Sequence, residues 1–387
     1  MSEPAKPATI VAGAHPELDP AYGGVAPAIW VSDAFRWPNP DDKPGYDYGR
    51  TVNPNRAMLA EALARLEGAV GGVITNSGQA AALLALLRLP SGAGVVAPHD
   101  CYGGTYRLLE AFHRQGKIRC KFVDIANEDA LEAALATESA LLWIETPSNP
   151  LLRITDIRKC TAAARRHGAL TVADNTLLSP CRQRPLELGC DLVIHSTTKV
   201  LNGHADLFGG AVLTKDPALL EDLEWWSNAA GLNSSAFDAS QILRGLRTLP
   251  LRIERQEASA KRIASWLEQR DDVQSVHFPG LESSPGHAIA ASQQSGPGGV
   301  LSFQLRGGKA AADAFVKALE LITLAPSLGG FSTLVCTPAT MTHRGMPQAA
   351  QEQAGIAPDL LRVSLGLEDC EDLLADLERG FQAISTR

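Results

Sequence analysis

DLVIHSTTKVLNGHADLFGG, residues 191–210, is the stretch that decides the fold. Its apolar run 192–194 (LVI) is typical of a buried strand, and the polar cluster 196–199 (STTK) follows almost directly. Gly209 and Gly210 then give the backbone the freedom to turn back. The pattern predicts a strand that carries Lys199 towards a pocket at its carboxyl end.

A lysine in such a pocket loses its proton more easily than one in water, because desolvation disfavours the ammonium form. The free amine can then form a Schiff base with an aldehyde, while the hydroxyls of Ser196 and Thr198 can bind an anion. Together they predict pyridoxal phosphate, with its aldehyde on Lys199 and its phosphate near the two hydroxyls. Taken alone, the same letters are equally compatible with an ordinary solvated lysine.

Apolar, strand-like runs alternate with helical patterns on both sides of this stretch, from about residue 56 to 250. Such alternation predicts βαβ units, and therefore a mainly parallel, seven-stranded sheet with helices on both faces. The predicted strands are 72–75, 94–97, 121–123, 141–144, 170–173, 192–194 and 211–213. The predicted helices are 57–67, 78–89, 104–115, 128–135 and 157–166.

Ligands of such sheets bind beyond the carboxyl ends of the strands, and residues suited to a cofactor follow several of the predicted strands. Gly78 opens a helix whose free N–H groups favour a phosphate, Tyr102 offers an aromatic face, and Asp174 can hold a protonated ring nitrogen. After a further predicted strand, a turn could hold the amide of Asn149 towards the ligand. Simpler alternatives are a helix cap by Ser77, turn chemistry alone around Asn149, and a helix cap by Asp174.

Two further regions flank the predicted sheet. Residues 1–55 are rich in Pro, Gly, Asp and Asn and are predicted to form an extended N-terminal arm that reaches a neighbouring subunit. Residues 251–387 are predicted to form a smaller α+β domain, entered through a helix at 251–269. Its strands are predicted at 300–305 and 361–365 and its helices at 310–319 and 369–384. In this domain, Ser327 and Arg362 could reach the site, although a structural ion pair would also explain Arg362.

The composition favours a small molecule as the partner. The chain has 387 residues, a net charge of -8 and no basic run, which argues against nucleic acid and anionic membranes. No apolar run approaches a membrane span, and the N-terminus lacks the order of a signal peptide. The seven scattered cysteines form no CxxC pair and no metal-ligand spacing is evident, so we expect reduced thiols, no metal and a cytoplasmic location.

Several longer motifs resemble the Cys/Met metabolism family of pyridoxal-phosphate-dependent enzymes, the transsulfuration group. The motifs that carry the resemblance are 97–108 (APHDCYGGTYRL), 147–153 (PSNPLLR), 236–238 (AFD), 243–249 (LRGLRTL) and 339–343 (ATMTH). The resemblance extends from about residue 10 over nearly the whole chain. It implies the fold type I of pyridoxal-phosphate-dependent transferases, which is the aspartate aminotransferase-like fold.

The resemblance also implies roles for individual residues. Lys199, Tyr102 and Asp174 are implied to be catalytic, with Lys199 on the aldehyde, Tyr102 on the ring face and Asp174 on the ring nitrogen. The implied cofactor-binding residues are Tyr48, Arg50, Ser77, Gly78, Gln79, Tyr102, Asn149, Asp174, Ser196, Thr198 and Lys199. The implied substrate-binding residues are Asp47, Arg107, Asn149, Ser327 and Arg362. Tyr48 and Arg50 match residues that reach a neighbouring subunit's phosphate, which implies a homotetramer built from two dimers with shared sites.

The activity implied is γ-replacement, as in the bacterial members that the chain resembles most. An O-succinyl- or O-acetyl-homoserine would exchange its acyl group for L-cysteine and give L-cystathionine. Pro326 stands where many of these enzymes have glutamate, a departure that bears on how the far end of the substrate is recognised. Two alternatives stay open. One is a lyase that cleaves cystathionine with the same groups, and the other is a non-catalytic, amino-acid-binding or regulatory homologue.

Overall fold

The computed structural model describes residues 5–13, 22–137 and 139–385. The strands are β1 (Gly71–Thr75), β2 (Ala93–Pro98), β3 (Ile118–Val123), β4 (Ser139–Glu145), β5 (Leu170–Asp174), β6 (Leu192–His195), β7 (Gly210–Thr214), β8 (Val273–His277), β9 (Val300–Leu305), β10 (Thr323–Leu324), β11 (Leu334–Cys336) and β12 (Leu360–Ser364). The helices are α1 (Pro7–Ala12), α2 (Pro54–Glu67), α3 (Gly78–Leu87), α4 (Gly103–Arg114), α5 (Glu128–Leu135), α6 (Ile157–Arg166), α7 (Pro217–Ala230), α8 (Ala236–Leu246), α9 (Leu249–Glu268), α10 (His287–Gln293), α11 (Gly308–Ala318), α12 (Gln348–Ala354) and α13 (Cys370–Ser385).

The larger sheet has seven strands in the order β1-β7-β6-β5-β4-β2-β3. Only β7 runs against its neighbours β1 and β6, and the remaining pairs are parallel. This arrangement confirms the predicted mainly parallel sheet, and each predicted strand lies within an observed one. The parallel strands β4, β5 and β6 end at the same edge, at Glu145, Asp174 and His195.

The strands of this sheet are buried because helices cover both faces. Every residue of β2, β6 and β7 is buried, which explains why these strands read as continuous apolar runs rather than as alternating ones. On one face, α3 packs with Trp143 and Leu109 in a dry cluster. On the other face, Ile144 of β4 and Ile157 of α6 belong to a second cluster. Because both faces of the sheet are buried, the strand ends that form the site are held in place.

The smaller sheet has five strands in the order β10-β11-β12-β9-β8. The sequence predicts β9 and β12, as well as α11 and α13, but not the other three strands. Both residues of β10 are exposed and β11 has three residues, so neither leaves an apolar run long enough to recognise. In β8, the pairing with β9 shifts register between Val273 and Ser275, which interrupts its alternation.

Helix α9 packs in both hydrophobic cores. Near its start, Leu249 and Ile253 belong to the cluster under the larger sheet. Further along, Ile263 and Leu267 belong to the core of the smaller sheet. The domain boundary predicted between residues 250 and 251 falls in the first turn of this helix, and the division into domains stays a prediction.

The N-terminal region is mostly extended where it is described. The short helix α1, which the sequence does not predict, buries Ile10 and Val11 against α2. Asn53 caps α2 by accepting hydrogen bonds from the N–H groups of Asn55 and Arg56. In the described part of the chain, none of the helices is long and apolar enough to span a membrane.

Candidate active site

A cavity of about 270 Å³ lies at the carboxyl edge of the larger sheet. Residues from the ends of β4, β5 and β6 line it together with Pro326, Leu328 and Arg362 of β12 in the smaller sheet. Ten predicted site residues line this cavity: Ser77, Gly78, Gln79, Tyr102, Asn149, Asp174, Ser196, Thr198, Lys199 and Arg362. The fold therefore brings together residues that lie up to several hundred positions apart in the sequence.

A larger cavity of about 600 Å³ lies between α2, β1 and α7. None of the predicted site residues lines it, and its walls mix guanidinium groups such as Arg56 with carboxylates such as Glu61. We place the chemistry in the smaller cavity, because that is where the amine, the acids and the anion-binding backbone meet.

The start of α3 forms an anion-binding corner of the cavity. Ser77 caps this helix, since its hydroxyl accepts a hydrogen bond from Ala80 N at 3.1 Å. Gly78 is the first helical residue, and a Cβ at this position would lie 2.6 Å from Cβ of Ser196. Only glycine lets the positive end of the helix approach the turn after β6 this closely. Both the cap and the phosphate interpretation of this motif are thus compatible with the structure.

Backbone hydrogen bonds hold the Thr198 side chain in place, and packing against Gly104 holds the Tyr102 ring. The Thr198 hydroxyl donates to Gly209 O at 3.2 Å and accepts from Gly209 N at 3.0 Å. A Cβ at Gly104 would lie 2.5 Å from Cε1 of Tyr102 and 2.8 Å from Nε2 of Gln79. Glycine at 104 therefore allows the tyrosine ring and the Gln79 amide to pack side by side at the cavity wall.

Lys199 presents a buried amine at the floor of the site. Burial, helped by the positive charge of Arg362, lowers the pKa of Lys199 to about 8. Its Nζ donates a hydrogen bond to Ser327 Oγ at 3.2 Å. An amine with this pKa is a better nucleophile and base near neutral pH than an ordinary lysine.

Two acids lie side by side on neighbouring strands, since Glu145 and Asp174 are register partners in β4 and β5. Burial raises the pKa of Asp174, while hydrogen bonds from Thr176 oppose this rise. Burial and the charge of Asp174 raise the pKa of Glu145 well above its ordinary value. Glu145 accepts hydrogen bonds from the N–H groups of Tyr102 and Asn149 at 2.8 and 3.2 Å. Among the described residues, no lysine or arginine pairs with Asp174, so this buried acid suits a cationic ring nitrogen.

Arg362 is a buried cation at the opposite wall, with only 2% of its surface exposed. Its Nη1 donates to Asn149 Oδ1 and its Nη2 to Ser327 O, both at 2.9 Å. Within the described ranges, Arg362 forms no ion pair with a carboxylate, and its Nε has no hydrogen-bond partner. The structural ion pair considered for Arg362 is therefore not observed there, and the guanidinium is available to a bound carboxylate.

The remaining predicted residues of this chain do not line the cavity. On the arm, Nη1 of Arg50 donates to Asn228 O at 2.6 Å and to its Oδ1 at 2.7 Å, and the guanidinium lies 5.4 Å from the ring centre of Tyr48. Asp47 pairs with Lys43 at 3.4 Å, and a hydrogen bond from Tyr48 N–H is the main reason that the pKa of Asp47 is lowered.

Arg107, which is predicted to read the far end of the substrate, lies on α4 against the 345 turn. A Cβ at Gly345 would lie 2.6 Å from Cδ of Arg107. Ser327 lies at the base of the site, where its hydroxyl accepts the Lys199 hydrogen bond and its carbonyl accepts one from Arg362.

Several residues of the site region are not singled out by the sequence analysis. Glu145 ends β4 as Asp174 ends β5, so the strand-end signal that selects Asp174 applies to it as well.

His343 is fully buried, with its ring 6.4 Å from that of Tyr102 and at an angle of 88° to it. Burial lowers the pKa of His343 to about 4, helped by Arg362 and Arg107, which keeps it neutral. His343 belongs to the motif 339–343 that carries the resemblance, but no strand-end signal assigns it to the site, because its position depends on the contact between the 342–343 turn and Gly103.

Comparisons with known proteins identify the family of the chain. The sequence matches the family described as Cys/Met metabolism PLP-dependent enzyme over residues 8–382. It is 47% identical over 379 residues to cystathionine γ-synthase of Escherichia coli (strain K12), covering 98% of each chain. It is 38% identical to cystathionine γ-lyase of Bacillus subtilis (strain 168), covering 95% of this chain and 96% of the relative.

A solved structure shares the fold over the whole chain. It is cystathionine γ-synthase from Xanthomonas oryzae pv. oryzae in complex with aminoacrylate and cysteine. The TM-score is 0.97 at 49% identity, and 99% of both chains is covered. This match and the family match confirm the predicted fold class and the predicted cofactor. The chain therefore belongs to the Cys/Met metabolism family of PLP-dependent enzymes.

Proposed function

We propose that the chain catalyses γ-replacement, in which an O-succinyl- or O-acetyl-homoserine reacts with L-cysteine to give L-cystathionine. The observation that carries this proposal is the buried, carboxylate-free Arg362 beside the low-pKa amine of Lys199 in one cavity. This pair can fix the carboxylate of an amino-acid substrate and exchange protons with the carbon next to it. The identity of 47% and 49% to two γ-synthases supports this reaction over others in the family.

The residues of the cavity fit pyridoxal phosphate. Gly78, Gln79, Ser196 and Thr198 would hold the phosphate, as the close approach of Gly78 to Ser196 leaves the helix start open to an anion. Asp174 would bind the ring nitrogen. Tyr102 would cover the ring face, with Lys199 at the aldehyde. When bound, the cofactor supplies an electron sink for negative charge on the substrate carbon next to the amino group.

The chain's own groups then handle protons and orientation. The free amine of Lys199 takes a proton from Cα and one from Cβ before the acyl group leaves, and returns one to each carbon after the sulfur has added, which its pKa of about 8 allows near neutral pH. Arg362 holds the substrate carboxylate, and Asn149, which accepts from Nη1 of Arg362, keeps the guanidinium in place. The acyl group leaves Cγ as a carboxylate, and the cysteine sulfur forms the new bond at the same carbon.

The reaction is tested by supplying substrates in two combinations to the purified holoenzyme. We expect rapid formation of cystathionine from an acyl-homoserine and cysteine, and slow release of cysteine and 2-oxobutyrate from cystathionine alone. Rapid cleavage of cystathionine with negligible condensation would contradict the proposal and favour the lyase activity of the Bacillus subtilis relative. Turnover in neither direction, with cofactor bound, would favour a non-catalytic amino-acid-binding protein.

We also propose a homotetramer made of two dimers, in which Tyr48 and Arg50 complete the phosphate site of a neighbouring subunit. Neither residue lines the cavity of its own chain, and 46% of the Tyr48 surface is exposed in the isolated subunit.

We further propose a cytoplasmic location. The seven cysteines are unpaired, which supports a reducing compartment.

Mixing two inactive variants tests the shared site. Lys199→Ala and Arg50→Ala chains are each expected to be nearly inactive, since each lesion affects every site. After co-refolding, a statistical mixture contains about one native site in four in a two-fold dimer, so about a quarter of wild-type activity should return. Asn228→Ala removes the side-chain oxygen that Arg50 and Thr51 bond within one chain, and this variant should remain active. Absence of recovery in a mixture shown to contain hybrids would exclude a site built across subunits.

A further inference from the structure

Helix α9 carries two buried polar residues one turn apart, Arg252 and Gln256, which are 5% and 2% exposed. Residues four apart lie on the same face of a helix, so both side chains point towards one side. That side faces the turn that follows β6 and carries Lys199, and the turn at 327–330 that carries Ser327. The rest of the mechanism does not use either residue.

Arg252 bonds to the lysine turn through backbone carbonyl groups. Its Nη1 donates to Val200 O at 2.7 Å, and its Nη2 donates to Leu201 O at 3.3 Å and to Gly245 O at 2.8 Å. No carboxylate pairs with Arg252 among the residues that the structure describes, and burial lowers the pKa of Arg252 to about 10. Its Nε donates to Thr248 Oγ1 at 3.0 Å. A cation bonded only to neutral oxygen atoms is costly to bury, so its presence needs a reason beyond packing.

The geometry of the lysine turn supplies that reason. Within the turn, Lys199 O accepts a hydrogen bond from Gly203 N at 2.8 Å. Val200 O and Leu201 O instead face the guanidinium, which closes the carboxyl end of the turn as a cationic cap does for a helix. A Cβ at Gly203, where φ is +72°, would lie 1.8 Å from Nη1 of Arg252, so glycine is required for this contact.

Gln256 holds the second turn in the same manner. Its Nε2 donates to Gly330 O at 2.9 Å. The two turns also touch each other, because a Cβ at Gly329 would lie 2.7 Å from Val200 N. Any movement of either turn along α9 would therefore change the 3.2 Å distance between Lys199 Nζ and Ser327 Oγ.

We propose that Arg252 and Gln256 form a positioning clamp on α9 that sets where the amine of Lys199 lies relative to Ser327 and Arg362. The clamp touches neither cofactor nor substrate and acts only through the two turns. This inference rests on the proposed role of Lys199 in cofactor binding. Its failure would leave that role intact, because Lys199→Ala tests the role independently.

The test compares Arg252→Met, Arg252→Lys and Gln256→Leu with wild type. We expect kcat to fall about 10²-fold in Arg252→Met, since a misplacement of about 1 Å can cost that much, with KM changing less than about threefold. Arg252→Lys keeps the charge and one carbonyl bond and should recover part of kcat. Gln256→Leu should lose about tenfold, because one of the two turns stays clamped.

A second readout follows the cofactor rather than the activity. We expect the apoprotein of Arg252→Met to bind pyridoxal phosphate about tenfold more weakly in equilibrium dialysis. Its binding rate should reach half-maximum at a higher pH than in wild type, since a loosened turn exposes Lys199 to water.

Arg182→Met is the matched control. Arg182 is also bonded to α9, through Glu257 at 2.7 Å, but contacts neither turn. It should lower the melting temperature without changing kcat or the pH midpoint. The clamp is refuted if Arg252→Lys and Gln256→Leu keep the wild-type kcat and the wild-type pH midpoint of cofactor binding. It is also refuted if the losses of kcat in the clamp variants only follow the fall in melting temperature, as expected for a purely structural contact like that of Arg182. If Arg252→Met does not fold, the other two variants decide.

Discussion

Replacement of Lys199 by alanine is expected to lower kcat/KM for the condensation by at least about 10³-fold, since a positioned proton-transfer group alone contributes about 10²–10⁴-fold. The variant should also lose the visible absorption band of a lysine-bound cofactor, because no amine remains for the aldehyde. Activity and absorption spectra of the purified variant measure both effects. Lys261→Ala, which removes an exposed lysine on α9, should leave both unchanged.

The pH dependence of cofactor capture by the wild-type apoprotein gives the same prediction a second measurement. The reacting form is the free amine, so the capture rate should rise with pH and reach half-maximum near the pKa of Lys199, about 8. An ordinary lysine would place this midpoint near the unperturbed value of 10.5. A midpoint near the ordinary value would show that the pocket does not lower the pKa of Lys199, and an active Lys199→Ala variant would show that a different group attacks the aldehyde.

Replacement of Arg362 by methionine is expected to lower kcat/KM by about 10²–10³-fold, which corresponds to about 3–4 kcal/mol. The loss arises because a substrate carboxylate in the cavity would face no buried cation. Arg362→Lys should recover only part of it, since an ammonium cannot reproduce the planar fork that bonds Asn149 and Ser327. Steady-state kinetics with an acyl-homoserine and cysteine provide the measurement.

Cofactor binding serves as the internal control for Arg362. Arg362→Met should bind pyridoxal phosphate with an affinity within about threefold of wild type, because none of the proposed phosphate contacts is altered. The midpoint of cofactor capture should move to higher pH, since the charge of Arg362 helps to lower the pKa of Lys199. Unchanged kcat/KM, or a loss that follows weaker cofactor binding, would remove Arg362 from the substrate site.

The parts of the site that the sequence predicts are those with a local signal. Lys199, Asp174 and Gly78 each follow an apolar strand, and the parallel topology brings strand ends to one edge. Periodicity likewise places α5 and α6 with their observed bounds, because each helix has a strong apolar face and an N-cap, Asn127 or Asp156.

The parts that the sequence does not predict depend on register and long-range packing. Glu145 lies beside Asp174 only because β4 and β5 pair in that register. Arg252 reaches a carbonyl 52 positions away, and no periodic pattern distinguishes a buried arginine from an exposed one on an amphipathic helix. The exposed β10 leaves no apolar run at all.

Helix α9 contributes side chains both to the core under the larger sheet and to the core of the smaller sheet. The two lobes of the subunit, each being one sheet with its helices, therefore share one continuous helix. A hinge between the lobes would have to break that helix or empty one of its apolar contacts, either of which is costly. Substrate entry is therefore expected to rely on small displacements at the mouth of the cavity, where Phe208 is exposed, rather than on opening and closing of the lobes. For the same reason, heating should melt both lobes in one cooperative step.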